Sequence, residues 1–375
     1  TTASNNTAVG YQAGYSITGS QYNTALGRGA LYSHTTGNGG NVAVGYDANR
    51  SLTTGYNNVS VGANAAYSTT TGLYNVALGD NALRSNTTAN SNTAVGYRSL
   101  YSASTGELNT SVGKDAGYDL TTAYYNVLVG SFAGSNVTTG NGNVVLGYAA
   151  GDSITTGDTN TIIGILSGQY TTGLKNTFVG GNAGNLVSTG SKNTIIGRYN
   201  GNQGGLDIRT SSNNIVLSDG DGNPRVIVDS NGAVTKPAQP AFQAVPTVAQ
   251  LNIAINSEVL VVFGTEVFDQ GADFGGSQFT APVTGKYQLN VSLYVNNLDT
   301  AADFYTLGLK TSNRTYQNVI DPGVLASDPV YWTQTLSILA DMDANDTAYI
   351  FLQQGAGSVQ TDITTQARFS GYLVA

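Results

Sequence analysis

The sequence predicts an all-β protein in two parts, a parallel β-solenoid (β-roll) shaft of about twelve 17-residue coils followed by a C-terminal β-sandwich. Three observations predict it. A phrase of the type Asn-x-x-(Val/Leu/Ile)-Gly returns twelve times between residues 6 and 197. The composition, with 48 Gly, 10% charged residues and one Met in 375, departs from an average globular enzyme and suits a repetitive β architecture. After residue 240 the phrase vanishes, and alternating segments such as KYQLNVSLYV and DTAYIFLQQ take over. The predicted parts are residues 1–205 as shaft, 206–238 as a β-hairpin joint with a Pro-containing linker, and 239–375 as a head.

The repeat comes first. Its Gly falls at 10, 27, 45, 62, 79, 96, 113, 130, 147, 164, 180 and 197, so the step is 17 with one 18 and one 16. Four residues earlier stands Asn in every copy: Asn6, Asn23, Asn41, Asn58, Asn75, Asn92, Asn109, Asn126, Asn143, Asn160, Asn176 and Asn193. A fixed period of this length means coils that cannot bury an apolar face alone and stack on their neighbours. The residues before each Gly are β-branched and aliphatic, as in Val127-Leu128-Val129, and read as a short strand. At about 3.3 Å per residue, one period suffices for a flattened coil with two short strands and two turns. Identical Asn side chains stacked at about 4.8 Å form an amide ladder along the axis, the expected role of the twelve. Gly supplies positive φ or close backbone approach where the strand turns. The residue two before each Gly is small early (Ala25, Ala43, Ser60, Ala77) and large later (Leu128, Val145, Ile162, Phe178, Ile195). A second chain packed on this face accounts for the change, as does variation inside a lone solenoid.

This repeat resembles the SVAIG-type left-handed parallel β-roll of trimeric bacterial autotransporter heads, and more closely the NTAVGYQAG arrays of phage tail fibres and predatory-bacterium surface fibres. The resemblance covers residues 5 to about 200 and implies a homotrimeric shaft. The chain departs from the autotransporter pattern in its longer coil and in lacking a recognisable coiled-coil stalk or membrane anchor.

The joint, LDIRTSSNNIVLSDGDGNPRVIVDSNGAVTK, reads as strand, turn, strand, because Asp-Gly and Asn-Pro punctuate it. Its DGDGN lacks the closing acidic residue of an EF-hand and is expected to be a plain turn. KPAQPAFQAVP then holds three of the seven prolines and marks a boundary.

In the head, AFQA (241–244), FTAPVTGKYQLNVSLYV (279–295), DANDTAYIFLQ (343–353) and FSGYLV (369–374) resemble, in order, the landmarks of the C1q/TNF-like globular head. That resemblance implies a ten-stranded jelly roll assembling as a trimer, with Tyr287, Phe351, Phe369 and Tyr372 in core or interface. It also implies that four inter-strand loops point away from the shaft, the last three at about 296–302, 319–332 and 354–365. They carry the candidate ligand-binding residues Asn296, Asn297, Asp299, Asp321, Asp328, Tyr331, Trp332, Gln360 and Asp362. Planar amides and carboxylates beside an aromatic face are the vocabulary of sugar recognition. Trp332 opens a strand, where it is either core or ligand platform. Asp328 and Asp362 are the candidate ligands for calcium on a threefold axis; no other cofactor is expected.

Composition excludes several classes. Net charge −8 with scattered Lys and Arg offers no basic stripe, so nucleic acid is not an expected partner. No apolar run approaches the roughly 20 residues that span a bilayer. A single His, His34, and three Glu leave little for a triad, a His-based metal site or paired glycosidase carboxylates, so no enzymatic activity is expected. A polysaccharide-degrading tailspike is the rival reading, as is a head that merely caps the trimer while recognition lies along the shaft's Tyr residues. An ice-binding surface fits poorly, because Thr accompanies Gly in turns. The chain opens at Thr1 without Met, so an anchor is expected outside it. The expectation is therefore an extracellular homotrimeric fibre, of a virion tail or a bacterial surface, binding a cell-surface glycan or envelope receptor of a target cell.

Overall fold

The computed structural model describes residues 2–375, and the chain divides into two compact units, one ending at Lys236 and the other beginning at Pro237. In the first, each repeat contributes one three-residue strand: β1 (Thr7–Val9), β2 (Thr24–Leu26), β3 (Val42–Val44), β4 (Val59–Val61), β5 (Val76–Leu78), β6 (Thr93–Val95), β7 (Thr110–Val112), β8 (Val127–Val129), β9 (Val144–Leu146), β10 (Thr161–Ile163), β11 (Thr177–Val179) and β12 (Thr194–Ile196). Neighbours pair parallel and in register, Thr7 opposite Thr24 and Phe178 opposite Ile195. The expected second strand of each coil is absent. The rest of the coil is a chain of turns whose left-handed residues recur: Asn81 (φ 57°), Leu83 (φ 52°) and Ser91 (φ 59°) in one coil, Asp115, Gly117 and Tyr125 two coils on. Each non-Gly residue held there costs on the order of 1 kcal/mol. Hydrogen bonds to both neighbouring coils offset it, as in Asn81 N–H to Ala63 O (2.9 Å) and Leu83 N–H to Ser99 O (2.9 Å).

The motif Gly follows each strand at φ near +130°, and close approach fixes its identity. A Cβ on Gly96 (φ 127°) would lie 2.5 Å from the carbonyl oxygen of Gly113 in the next coil.

Inside the coil, the residue two before the motif Gly faces the residue four after it, and in seven coils their sizes are complementary. Ala25, Ala77 and Ala94 accompany Leu31, Leu83 and Leu100, all buried in the solenoid's own core. Leu128, Val145, Ile162 and Phe178 instead accompany Gly134, Gly151, Gly168 and Gly184. A Cβ on Gly184 would lie 2.6 Å from the Phe178 ring. Between the expected accounts of the size change the structure chooses the lone solenoid: the volume is exchanged within a chain, and these positions are no face for a second copy. Conserving summed volume is what a close-packed interior requires.

The period breaks once more after β12. An insertion carries the antiparallel pair β13 (Asn202–Gln203) and β14 (Leu206–Asp207), braced by buried Tyr199, whose hydroxyl donates to Leu206 O (2.8 Å). The ladder then resumes: β15 (Ile215–Ser218) pairs parallel with β12, and β16 (Pro224–Val228) and β17 (Val234–Thr235) end the sheet antiparallel. The DGDGN turn joins β15 to β16. The Asp219 carboxylate accepts the backbone N–H groups of Asp221 and Asn223 and pairs with Arg225 (2.6 Å). These bonds, that of Asn223 first, hold its pKa down at about 2.

The second unit contains β18 (Ala241–Val245), β19 (Val259–Leu260), β20 (Thr265–Asp269), β21 (Phe274–Gly275), β22 (Gln278–Thr280), β23 (Gly285–Asn296), β24 (Phe304–Thr311), β25 (Thr315–Ile320), β26 (Tyr331–Met342), β27 (Thr347–Gly355), β28 (Asp362–Ile363) and β29 (Arg368–Leu373). One sheet runs β20-β18-β29-β23-β26, the other β21-β22-β27-β24-β25. Among the eight principal strands the orders are first-eighth-third-sixth and second-seventh-fourth-fifth, which is a jelly roll. Its core follows strand alternation: Tyr287, Leu289, Val291, Leu293 and Val295 of β23 all point inward. Phe242 stacks on Phe279 (4.8 Å) and Phe274 (4.9 Å), with Phe369 edge-on (5.0 Å). Tyr287, Phe351 and Phe369 are buried, whereas Tyr372 faces out at 48% exposure.

Candidate functional site

The Asn column is a continuous buried ladder. Each Asn Oδ1 accepts the backbone N–H of the next Asn, as in Asn126 N–H to Asn109 Oδ1 (3.0 Å) and Asn143 N–H to Asn126 Oδ1 (2.9 Å). Apart from Asn23, whose Nδ2 donates to Ser20 Oγ, the Nδ2 of each of the twelve reaches a carbonyl across its own coil, Asn126 to Gly140 O at 3.0 Å. Asn214 makes a further rung on Asn193, 21 residues on, with N–H at 2.9 Å and Nδ2 at 3.0 Å. Sequence reasoning missed it because the insertion shifts the period and Ser218 stands at the Gly position. The surviving signal is Asn214-Ile215-Val216-Leu217.

Two rows of solenoid aromatics stand out, with Tyr22, Tyr74, Tyr125 and Tyr170 exposed outside them. Tyr11, Tyr46, Tyr97 and Tyr148 follow the motif Gly and are exposed, but coils bearing other residues separate them. The second row is stacked on itself: Tyr15 on Tyr32 (5.2 Å), Arg50 over Tyr32 (5.0 Å), Arg84 over both Tyr67 and Tyr101, and Tyr101 on Tyr118 (5.0 Å). Faces occupied by one another are not available to a sugar ring.

In the jelly roll, four loops are pinned to one another. The β23–β24 loop meets the β27–β29 loop through Asp299, whose carboxylate accepts the N–H groups of Ala301 (2.9 Å), Ser358 (2.5 Å) and Val359 (2.8 Å). It is 2% exposed. Burial alone raises its pKa, but the donors of Val359, Ala301 and Ser358 carry it below the usual carboxylate range. Asp299 is thus a loop staple, which corrects its expected place among ligand contacts. Its own N–H donates to the hydroxyl of buried Tyr305 (2.9 Å), which also meets Thr361 Oγ1 (2.7 Å). Asp362 accepts from Asn252 N–H (2.7 Å) of the β18–β19 connection and from Asn297 Nδ2 (2.9 Å). Asp328, in the β25–β26 loop, accepts from the backbone N–H (2.8 Å) and hydroxyl of Thr300. Exposed Gln360 donates to Ile253 O (3.2 Å). Half-buried Asn296 keeps its Oδ1 buried and without a partner among the described residues.

The expected calcium ligands Asp328 and Asp362 are thus engaged by separate loop donors. No group of three or more His, Cys, Asp or Glu that could hold a metal occurs among the described residues.

The aromatic pair divides. Tyr331 points outward at 61% exposure beside Tyr294 (5.8 Å). Trp332 turns inward against the core, Nε1 buried and unpartnered, and its ring walls a cavity of about 270 Å³ with Ile320, Asp321, Pro322, Val324 and Leu325. Asp321 is exposed and accepts from Gly323 N–H (2.9 Å). The cavity's aliphatic walls were missed because a loop's Val, Pro and Leu carry no ligand signature until folded together.

Among known proteins, no family model matches and no curated protein matches. Similar solved structures include the globular domain of zebrafish complement 1qA protein, 17% identical with TM-score 0.28, covering 36% of this chain and 98% of that one. Crystal structures of murine APRIL are similar too, one at pH 8.0 (10% identical, TM-score 0.28) and one at pH 8.5 (11%, 0.27), each covering 36% of this chain and 99% of that one. No helix among the described residues is long and apolar enough to cross a membrane.

Proposed function

We propose that this protein is a homotrimeric extracellular fibre adhesin, without catalytic activity, whose jelly-roll loops bind a cell-surface glycan and so attach a phage or a bacterium to its target cell. The observation that carries the reading is the loop cluster: four cross-pinned loops presenting exposed Tyr331, the Asp321 carboxylate and an apolar cavity walled by Trp332. Binding residues concentrate on loops that a rigid scaffold fixes. The Asp321 carboxylate beside the Trp332-walled apolar recess matches a sugar hydroxyl next to an apolar substituent such as an acetyl methyl, and Tyr331, on the other face of the strand, adds an exposed aromatic platform.

A self-association face supports the trimer. Leu339 (54% exposed) and Tyr372 stand on either side of Gln288 across three adjacent strands, two exposed apolar side chains on the outside of the β23-containing sheet. Three identical loop sets would gain avidity on a dense receptor.

The test places the full chain on glycan and cell-envelope arrays, with calcium and with chelator, beside Tyr331→Ala and Val324→Asp. Val324 is 79% exposed, so the added carboxylate fills the cavity mouth without touching the core. Loss of binding in both variants supports the loops. Undiminished binding moves recognition to the solenoid and leaves the jelly roll as a trimer cap. A sedimentation mass of one chain refutes the trimer.

A further inference from the structure

A uniform solenoid offers stacked convex coils, and concavity requires a departure from the period. The departure between Asn193 and Asn214, 21 residues in place of 17, supplies one. The β13–β14 insertion and the Asp219–Arg225 turn enclose a cleft of about 320 Å³ against the preceding coils, within the range of ligand cavities. Nothing in the letters signals it, since a four-residue excess leaves no motif.

We infer that this cleft is a second saccharide-binding site, separate from the jelly-roll loops, selective for a neutral sugar unit. Its polar groups have spare capacity, unlike those of the Asn ladder and of Asp219. The Arg198 guanidinium has no ion pair or hydrogen bond among the described residues, and the Asp221 carboxylate accepts none. The Asn182 amide has no side-chain hydrogen bond. Gln203 spends Nε2 on Asp221 O (2.8 Å) and keeps Oε1 free. Asn200 spends Oδ1 on Asn202 N–H (2.9 Å) and keeps Nδ2 free. Donors and acceptors therefore both line one recess. Vicinal hydroxyls, each both donor and acceptor, satisfy such a set, whereas a phosphate presents chiefly acceptors.

Charge decides the subclass. Arg198 and Asp221 cancel in a chain of net charge −8, so an anionic ligand gains little, while both ions strengthen hydrogen bonds to hydroxyls. Leu186, 38% exposed in the cleft, gives the C–H face of the ring an apolar contact. Asp221 is the sole carboxylate of the lining, so the pair that glycoside hydrolysis needs is missing, and the site binds without cleaving.

The full chain tests this by saturation-transfer NMR with the methyl glycosides of glucose, galactose, mannose and N-acetylglucosamine, and with methyl glucuronide and inorganic phosphate. Arg198→Ala and Asp221→Ala remove exposed groups without partners, so both variants should melt with the wild type. Binding of at least one neutral glycoside, weakened about tenfold or more in each variant and unchanged in Tyr331→Ala, supports the assignment. Silence from every neutral glycoside overturns it, as does binding that survives both cleft variants. Binding of glucuronide or phosphate alone, lost with Arg198 but kept without Asp221, replaces it with an anion site. Because Tyr331→Ala tests the loops and these variants the cleft, either reading can fail alone.

Discussion

Replacing Asn126 by Ala in the middle of the solenoid removes a rung whose Nδ2 donates to Asn109 Oδ1 (3.1 Å), Tyr124 O (3.2 Å) and Gly140 O (3.0 Å). Its Oδ1 accepts from both the N–H (2.9 Å) and the Nδ2 (3.1 Å) of Asn143. Asn143 Nδ2 retains Gly157 O, so the groups left without a side-chain partner are the Asn143 N–H and the Gly140 carbonyl. At about 1–3 kcal/mol for each buried polar group left unsatisfied, the expected cost is about 4 kcal/mol. Asn6→Ala is the control, because Asn6 is half-buried in the first described coil, where fraying limits the loss to about 1 kcal/mol. Urea unfolding followed by far-ultraviolet circular dichroism reads the solenoid. The sole Trp, Trp332, lies in the other unit, so its fluorescence transition should not move in either variant. Equal costs for the two variants, or a cost below about 1 kcal/mol for Asn126→Ala, would refute the ladder as a source of stability.

Two further outcomes follow from the solenoid interior. Gly184→Leu should cost about 1–3 kcal/mol by overpacking the Phe178 ring, and Phe178→Ala about 3–5 kcal/mol by opening a cavity. The double variant, which reproduces the Ala94 and Leu100 pairing, should recover at least half of the summed loss in a double-mutant cycle; additive costs would refute the volume exchange. His34 is fully buried with Nε2 2.8 Å from Ser20 Oγ, and burial lowers its pKa. A depressed folded-state pKa means that its contribution is present above the unfolded value of about 6.5 and is lost as pH falls. The wild-type solenoid should therefore melt lower at pH 5 than at pH 7, and His34→Leu, matching Leu52 one coil on, should flatten that window; an unchanged slope would sink the assignment.

Much of the molecule was legible in the letters because a solenoid writes its contacts as a period. Stacking brings residues 17 apart into register, so an unbroken column of Asn announces a ladder and a column of Gly announces close backbones. Alternation in KYQLNVSLYV likewise announces the inward row from Tyr287 to Val295. The single strand per coil was not legible, because the left-handed positions accept Leu, Tyr, Ser and Lys as readily as Gly when hydrogen bonds to both neighbouring coils hold them.

The loop site divides in the same way. Sequence alone determined which segments are loops and which polar residues they carry, since turn chemistry and strand alternation are local. Only the tertiary structure decided which polar groups are spent on one another: Asp299 disappears into Ser358 and Val359, Asp362 into Asn252, and Trp332 turns inward while Tyr331 turns out. The same holds for Arg198 and Asp221, left free across a cleft that an insertion opened. Hydrogen-bond satisfaction depends on partners scores of residues away in the chain, and no local pattern encodes that distance.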